Sequence, residues 1–294
     1  YFTLVSEFML QQTQVKTVIP YFNQFIKNIP DLETLANYNN QKLIKLWEGL
    51  GYYSRVRNLK KAAKVIINDF NKKLPSKFLE LKSLPGIGDY TASAISAIAF
   101  NKPLIPLDGN VERVLKRYLN LKKEKQIQKE NLIEKKKIFG TSIRSSDYAQ
   151  ALMELGALIC KPSNPLCNKC PISRNCKSFI KNDFVLTKIK KKNKNKYFLL
   201  KVYKKNNKYL LVKNIKFNFL KNFNIFPMHE LIKPKNFTQN INFKMSNMNM
   251  NIKIEYNNVI KSIPLSYWID PKKLKNYTLP SFTKKIVRYL ENNK

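Results

Sequence analysis

Four cysteines, Cys160, Cys167, Cys170 and Cys176, fall in one short window with the spacing C-x6-C-x2-C-x5-C, and the 294-residue chain has no others. Four thiols around a central C-x2-C pair, with no histidine among them, suit a cubane iron–sulfur cluster or a structural zinc. Thiolates drawn to one centre repel each other, so convergence requires a metal to offset their charge. Disulfide pairing is the alternative reading. No secretory signal is evident, and cytosolic thiols stay reduced. Spacing alone does not separate iron–sulfur from zinc.

Two carboxylates are the next candidates. Glu7 stands in Val5-Ser6-Glu7-Phe8-Met9-Leu10-Gln11-Gln12-Thr13-Gln14-Val15. That helix is mostly apolar, so an acid there is either costly to bury or placed for use. Asp108, in Leu107-Asp108-Gly109-Asn110, precedes another helix and is most simply its N-cap. About twenty residues upstream, Leu84-Pro85-Gly86-Ile87-Gly88 joins two amphipathic helices. Its glycines let a turn expose backbone N–H groups beside a helix N-terminus, which holds a nucleic-acid phosphate without reading sequence. An ordinary tight helix–helix turn is the plainer account. A carboxylate at Asp108 could then stabilise positive charge at C1′ of the phosphate-bound nucleotide. Two carboxylates in unlike surroundings are the acid and the stabiliser that glycosidic cleavage requires.

The remainder of the chain must position these groups. It is long enough for two domains with proper cores, and no apolar run approaches the length of a membrane span. The net charge is +36, with +15 on residues 1–180 and +21 on 181–294. That balance favours a polyanion, although spread charge rich in Lys and Asn also fits compositional drift. Glycine numbers only seven, all at or before Gly156. Against average usage of about 7%, each one retained is expected to meet a backbone need.

Periodicity predicts helices at about 3–28, 31–37, 40–48, 54–71, 76–83, 89–100, 110–119, 127–139 and 146–159. Asp31 reads as an N-cap, and Ser76 as the start of a capping box. Past the cysteines a lysine- and asparagine-rich linker, 184–196, marks a boundary. Strand-like runs Tyr197–Tyr203 and Tyr209–Val212 flank a polar turn at Lys204–Lys208, with further strands near 252–256 and 258–261 and a closing helix at about 280–291. The expected organisation is a mainly α domain over 1–183, a basic linker over 184–196 and a smaller α+β domain over 197–294.

These residues carry a resemblance. Glu7 through Val15, Trp47-Glu48-Gly49-Leu50-Gly51-Tyr52-Tyr53-Ser54-Arg55-Val56-Arg57-Asn58, the hairpin, Leu107–Asn110 and the cysteine tetrad resemble, in order, adenine DNA glycosylases, the MutY family. That family belongs to the helix-hairpin-helix glycosylases, with endonuclease III its close cousin. Endonuclease III enzymes have a Schiff-base lysine where this chain has Tyr90, read V-D-T-H where it has Leu107–Asn110, and lack the Glu-containing segment.

The resemblance implies a helix-hairpin-helix glycosylase domain with one [4Fe-4S] cluster on the loop 160–176, ligated by Cys160, Cys167, Cys170 and Cys176. It implies that adenine paired with 8-oxoguanine or guanine is flipped out of double-stranded DNA. Glu7 would protonate the base at N7, and Asp108 would stabilise the oxocarbenium-like sugar. Tyr90 and Asn110 would support them. Gln11, Gln12, Tyr52, Leu84, Gly86 and Gly88 would contact DNA, Gln12 and Tyr52 as wedges in the base stack. A monomer, cytoplasmic and nucleoid-associated, is expected, without a membrane partner. The α+β domain resembles the family's Nudix-like 8-oxoguanine-reading domain. There Ser246 falls in the base-reading loop, with Asn247 in place of the usual histidine, and Lys221-Asn222-Phe223 occupies the place of the usual glycines. His229 lies outside that loop, and no Nudix pyrophosphatase signature is visible. The chain begins at Tyr1, on the Glu7 helix, whereas family members carry a preceding segment that lines the adenine pocket; without one, the pocket is expected to be open on one side. The alternatives are a bifunctional endonuclease III-like glycosylase/lyase and a non-catalytic DNA-binding relic.

Overall fold

The computed structural model describes residues 1–122, 128–185, 194–232, 237–245, 247–257 and 263–293. Two compact units are present. The first comprises Tyr1–Tyr38 and Ser54–Ile189, the second Asn39–Tyr53 and Lys190–Lys294.

The first unit is helical. Its helices are α1 (Phe2–Leu10), α2 (Val15–Asn28), α3 (Leu32–Asn37), α5 (Ser54–Asp69), α6 (Phe78–Ser83), α7 (Asp89–Phe100), α8 (Gly109–Tyr118), α9 (Lys129–Lys135), α10 (Ser145–Glu154) and α11 (Lys177–Ile180); α4 (Asn40–Leu46) lies in the second unit. Helix α7 is buried along Thr91–Ala97, mostly Ala and Ser. Side chains that small let neighbouring helices approach it closely. It ends on Asn101 in the left-handed conformation (φ +50°), whose Oδ1 accepts from Ser146 N at 2.9 Å. Asparagine fills many such positions here: residues 71, 101, 120, 164, 182, 206, 207 and 222 all have positive φ. Next to Gly, Asn is among the residues that best tolerate this region, which is how a chain so poor in glycine still turns.

Three expectations for this unit are corrected. The predicted helix 3–28 is two helices, because Gln12 turns left-handed (φ +57°) between α1 and α2. Apolar spacing continues across the break, so periodicity alone does not see it. Asp31 caps α3, accepting from Thr34 N at 2.8 Å, but Ser76 caps nothing: α6 starts after Lys77 with no side-chain cap. Helix α10 tightens into no regular end; it widens into a π turn, Leu155–Ile159.

The second unit holds a mixed seven-stranded sheet. Its strands are β1 (Lys194–Lys205), β2 (Lys208–Lys213), β3 (Asn224–Ile225), β4 (Met228–Leu231), β5 (Ile241–Met245), β6 (Met248–Asn257) and β7 (Ser266–Ile269). The long β1 pairs parallel with β6, from Lys194↔Met248 to Tyr203↔Asn257, and antiparallel with β2 and β4. Phe198, Leu200 and Val202 alternate along β1 onto one face, where Phe282, Ile286, Val287 and Leu290 of α12 (Ser281–Asn292) complete the core. The β1–β2 turn is tighter than expected. It is the pair Asn206-Asn207, both at positive φ, as a two-residue hairpin demands. Asn39–Tyr53 joins this unit through Tyr53, whose ring lies 4.4 Å from Phe223, and through the Glu48–Lys284 ion pair. The strand expected near 258–261 and most of the expected linker lie outside the described residues. Among those described, no helix is long and apolar enough to cross a membrane.

Candidate active site

Helix α1 buries Leu4, Val5, Phe8 and Met9, and Glu7 shares their environment at 4% exposure. Its Oε2 is buried with no hydrogen-bond partner. Burial pushes the carboxyl up from 4.5 to about 7; the nearby Asp108 adds to the rise, and the Tyr90 hydroxyl, hydrogen-bonded to Glu7, opposes it. Tyr90 sits in the first turn of α7, and its own phenol is raised by burial and by the two carboxyls. It therefore stays a donor at any working pH.

Asp108 is indeed the N-cap of α8. Oδ1 accepts from Asn110 N at 3.0 Å and Val111 N at 2.7 Å, and Oδ2 from Asn110 Nδ2 at 3.0 Å. The cap and the chemical candidate are thus one residue: three donors fix a carboxylate that faces Glu7 and Tyr90. Asn110 is held in turn by Arg113, whose Nη2 donates to Asn110 Oδ1 at 2.8 Å and Gly156 O at 2.6 Å, and whose Nε donates to Cys160 O at 2.7 Å. Gly156 is required there. A Cβ on it would lie 2.6 Å from Asn110 Cβ and 2.8 Å from the Asn110 backbone.

The hairpin is a type II turn. Ile87 N donates to Leu84 O at 3.1 Å, Pro85 takes the second position and Gly86 the third with φ +82°. A Cβ on Gly86 would strike Asn58 Cβ at 2.7 Å and Phe8 Cε1 at 2.9 Å. Leu84 is buried, so only its backbone remains for a ligand. Gly88 is the N-cap of α7, leaving first-turn N–H groups at the positive end of that helix. Gln11 bridges to this turn, its Nε2 donating to Gly86 O at 3.3 Å and Thr91 Oγ1 at 3.4 Å.

A cavity of about 370 Å³ opens beside Glu7, lined among others by Phe22, Ile98, Gln150, Met153 and Glu154. The sequence reading missed Arg55, Arg113, Gln150 and Glu154. Glu154 carries the same signal that marked Glu7, an acid within an apolar helical run. Arg113 is betrayed only by its distance of three from Asn110 on α8.

The structure thus assembles Glu7, Tyr90, Asp108 and Asn110, and ties Gln11 to Gly86. Gln12 is exposed. Tyr52, exposed and left-handed (φ +45°), lies in the second unit. Ser246 lies outside the described residues, and His229 is half-buried on β4. The four cysteines are free thiols lining one cavity with Arg117, whose Nη1 lies 3.4 Å from Cys160 Sγ. Among the described residues no three Cys, His, Asp or Glu side chains are grouped to share a single metal ion.

Residues 5–137 match the family of HhH-GPD superfamily base excision DNA repair proteins. An adenine DNA glycosylase of Buchnera aphidicola (subsp. Baizongia pistaciae) is 42% identical over 211 residues, 70% of this chain and 60% of the relative. A thermostable thymine-DNA glycosylase is similar in structure, with TM-score 0.54 and 27% identity over 62% of this chain and 84% of that one. The fold is shared with an endonuclease III solved in a non-covalent DNA complex, at TM-score 0.53 and 22% identity, over 61% of this chain and 84% of that one. The chain spans 60 to 66% of the length of the Buchnera glycosylases it matches.

Proposed function

We propose that the chain is a member of the HhH-GPD superfamily of base excision DNA repair proteins, to which its residues 5–137 are similar, and that it acts as a monofunctional adenine DNA glycosylase. Its substrate is adenine opposite 8-oxoguanine or guanine in double-stranded DNA. The observation that carries this reading is the buried, partnerless Oε2 of Glu7, on a carboxyl whose pKa is lifted to about 7 beside Asp108 and Tyr90.

The hairpin amides and the α7 N-terminus hold a phosphate of the flipped nucleotide. The base enters the cavity beside Glu7, which keeps its proton near neutrality and delivers it to N7 of adenine. The C1′–N9 bond then breaks, with its electron pair passing to the purine. Asp108, fixed by three N–H donors, faces the cationic sugar and lowers the energy of that charge. Water adds at C1′ and gives up a proton to the Glu7 carboxylate, which restores the acid. Tyr90, where the related lyases have lysine, offers no amine for a Schiff base and instead holds Glu7.

The cysteine set fits a [4Fe-4S] cluster: four soft thiol donors line one cavity, and the Arg117 guanidinium beside Cys160 offsets thiolate charge. Bound, the cluster would order residues 160–176. For the second unit we propose Nudix-like recognition of the opposite base. The mixed sheet packed on α12 supports this, as does a cavity of about 420 Å³ bordered by Phe217, Phe219, Met245 and Asn247.

The test is single-turnover release of adenine from duplexes with A·8-oxoguanine, A·G or A·T pairs. Release from the first two, none from A·T and none by Glu7→Gln support the reading; binding without release refutes it.

A further inference from the structure

We propose that Arg55 is a positioning residue that sets Glu7 and the Gln11–Gln12 turn in register with the hairpin, an inference that rests on the glycosylase reading above. Arg55 is the second residue of α5 and is only 5% exposed. Both facts are unfavourable on their own. The N-terminal turn of a helix disfavours a cation, and a buried guanidinium must find compensation.

The compensation is the far end of α1. Arg55 Nη1 donates to Phe8 O at 3.2 Å, Met9 O at 2.5 Å and Gln11 O at 2.7 Å. Phe8 and Met9 belong to the last turn of α1, whose carbonyls have no partner within the helix and which forms its negative pole. A guanidinium there supplies both the missing donors and the opposite charge.

The three carbonyls lie on the segment between Glu7 and the Gln11–Gln12 turn. Phe8 follows Glu7 directly. Gln11 carries the side chain that reaches Gly86 O and Thr91 Oγ1. Gln12, next along, is the left-handed residue that separates α1 from α2. Three residues after Arg55, on the same face of α5, Asn58 is the wall against which Gly86 has no room for a Cβ. One turn of α5 therefore fixes the carboxyl-bearing helix, the exposed wedge and the phosphate turn relative to one another. Tyr90 from α7, Asp108 ahead of α8 and Glu154 from α10 face Glu7 or share its cavity. Loss of the Arg55 tie lets the end of α1 unwind and shifts Glu7 against all three.

The experiment compares the parent chain with Arg55→Met and Arg55→Lys. It measures single-turnover adenine release from an A·8-oxoguanine duplex between pH 5 and 9, duplex affinity, and hydrogen exchange of peptides spanning residues 2–13. For Arg55→Met we expect release at pH 7 slower by about 100-fold, the scale of an ångström-sized misplacement. The falling limb of its pH profile should move toward acid as the Glu7 pocket admits water. Exchange across 2–13 should accelerate, and Arg55→Lys should recover part of both. A Met variant with the parent's rate, profile and exchange overturns the proposal. If that variant does not fold, a Lys variant indistinguishable from the parent in profile and exchange overturns it equally. Should the parent itself release no adenine, the glycosylase reading fails, and unchanged exchange in 2–13 would separately remove the positioning role.

Discussion

Replacing Glu7 by glutamine should make the protein more stable than the parent at pH 8 while leaving the two alike at pH 4. The reason is the carboxyl's pKa, which burial lifts from 4.5 to about 7. The folded state binds this proton more tightly than the unfolded chain does. Stability from the group is therefore fully present below 4.5, declines as pH rises, and is lost once pH passes about 7. At about 1.4 kcal/mol per unit, the ionised carboxyl costs the fold about 3 kcal/mol. Glutamine keeps the shape without the charge and escapes that cost. For a helical unit of this size the gap corresponds to roughly 6–12 °C in melting temperature at pH 8. Thermal unfolding of both proteins, at one scan rate and in steps from pH 4 to 8.5, measures it. A gap that stays constant over this range would refute the claim that burial holds Glu7 protonated. Combined with lost adenine release, the expected result marks a residue that lowers stability in exchange for chemistry.

Asp108→Asn separates the cap from the proposed catalytic role: asparagine caps helices as well as aspartate, so the melting temperature should hardly move, while adenine release falls at least ~100-fold. Gly156→Ala places a Cβ within 2.6 Å of Asn110 Cβ; calorimetry should show a loss of about 1–3 kcal/mol, and an unchanged melting temperature would mean the close approach is absent. Cys170→Ser should lower both bound metal and melting temperature, and elemental analysis of the parent for iron, sulfide and zinc decides between a cluster and a single ion. Gly86→Ala should weaken duplex affinity through the lost left-handed turn, with adenine release at saturating protein affected less.

Local chemistry made much of the site legible. An acid in an apolar run, a Pro-Gly turn between helices and a dense cysteine window are each improbable by composition, and improbability is visible in one dimension. Glu154, in Leu152-Met153-Glu154-Leu155, carries the same mark. Arg55 and Arg113 were hidden for a different reason. In a chain with this many cations, one more arginine carries no signal until its burial and the carbonyls around it are known. The break at Gln12 was equally hidden, since a left-handed residue other than glycine or asparagine leaves no mark on apolar periodicity.

Local sequence was enough to dictate the helical character of the first unit, the turn at Leu84–Gly88, the cap at Asp108, the thiol donor set and the β1–β2 hairpin. Each depends on residues within a few positions of one another, where propensity and steric limits act directly. Tertiary structure alone decided that Glu7 and Asp108, a hundred residues apart, share one environment and that Tyr90 bonds the acid. It also decided that one arginine ties the end of α1 to α5 and that another joins Asn110 to the cysteine loop. Those facts come from desolvation and from the pairing of buried polar groups, which have no magnitude until the chain has closed around them.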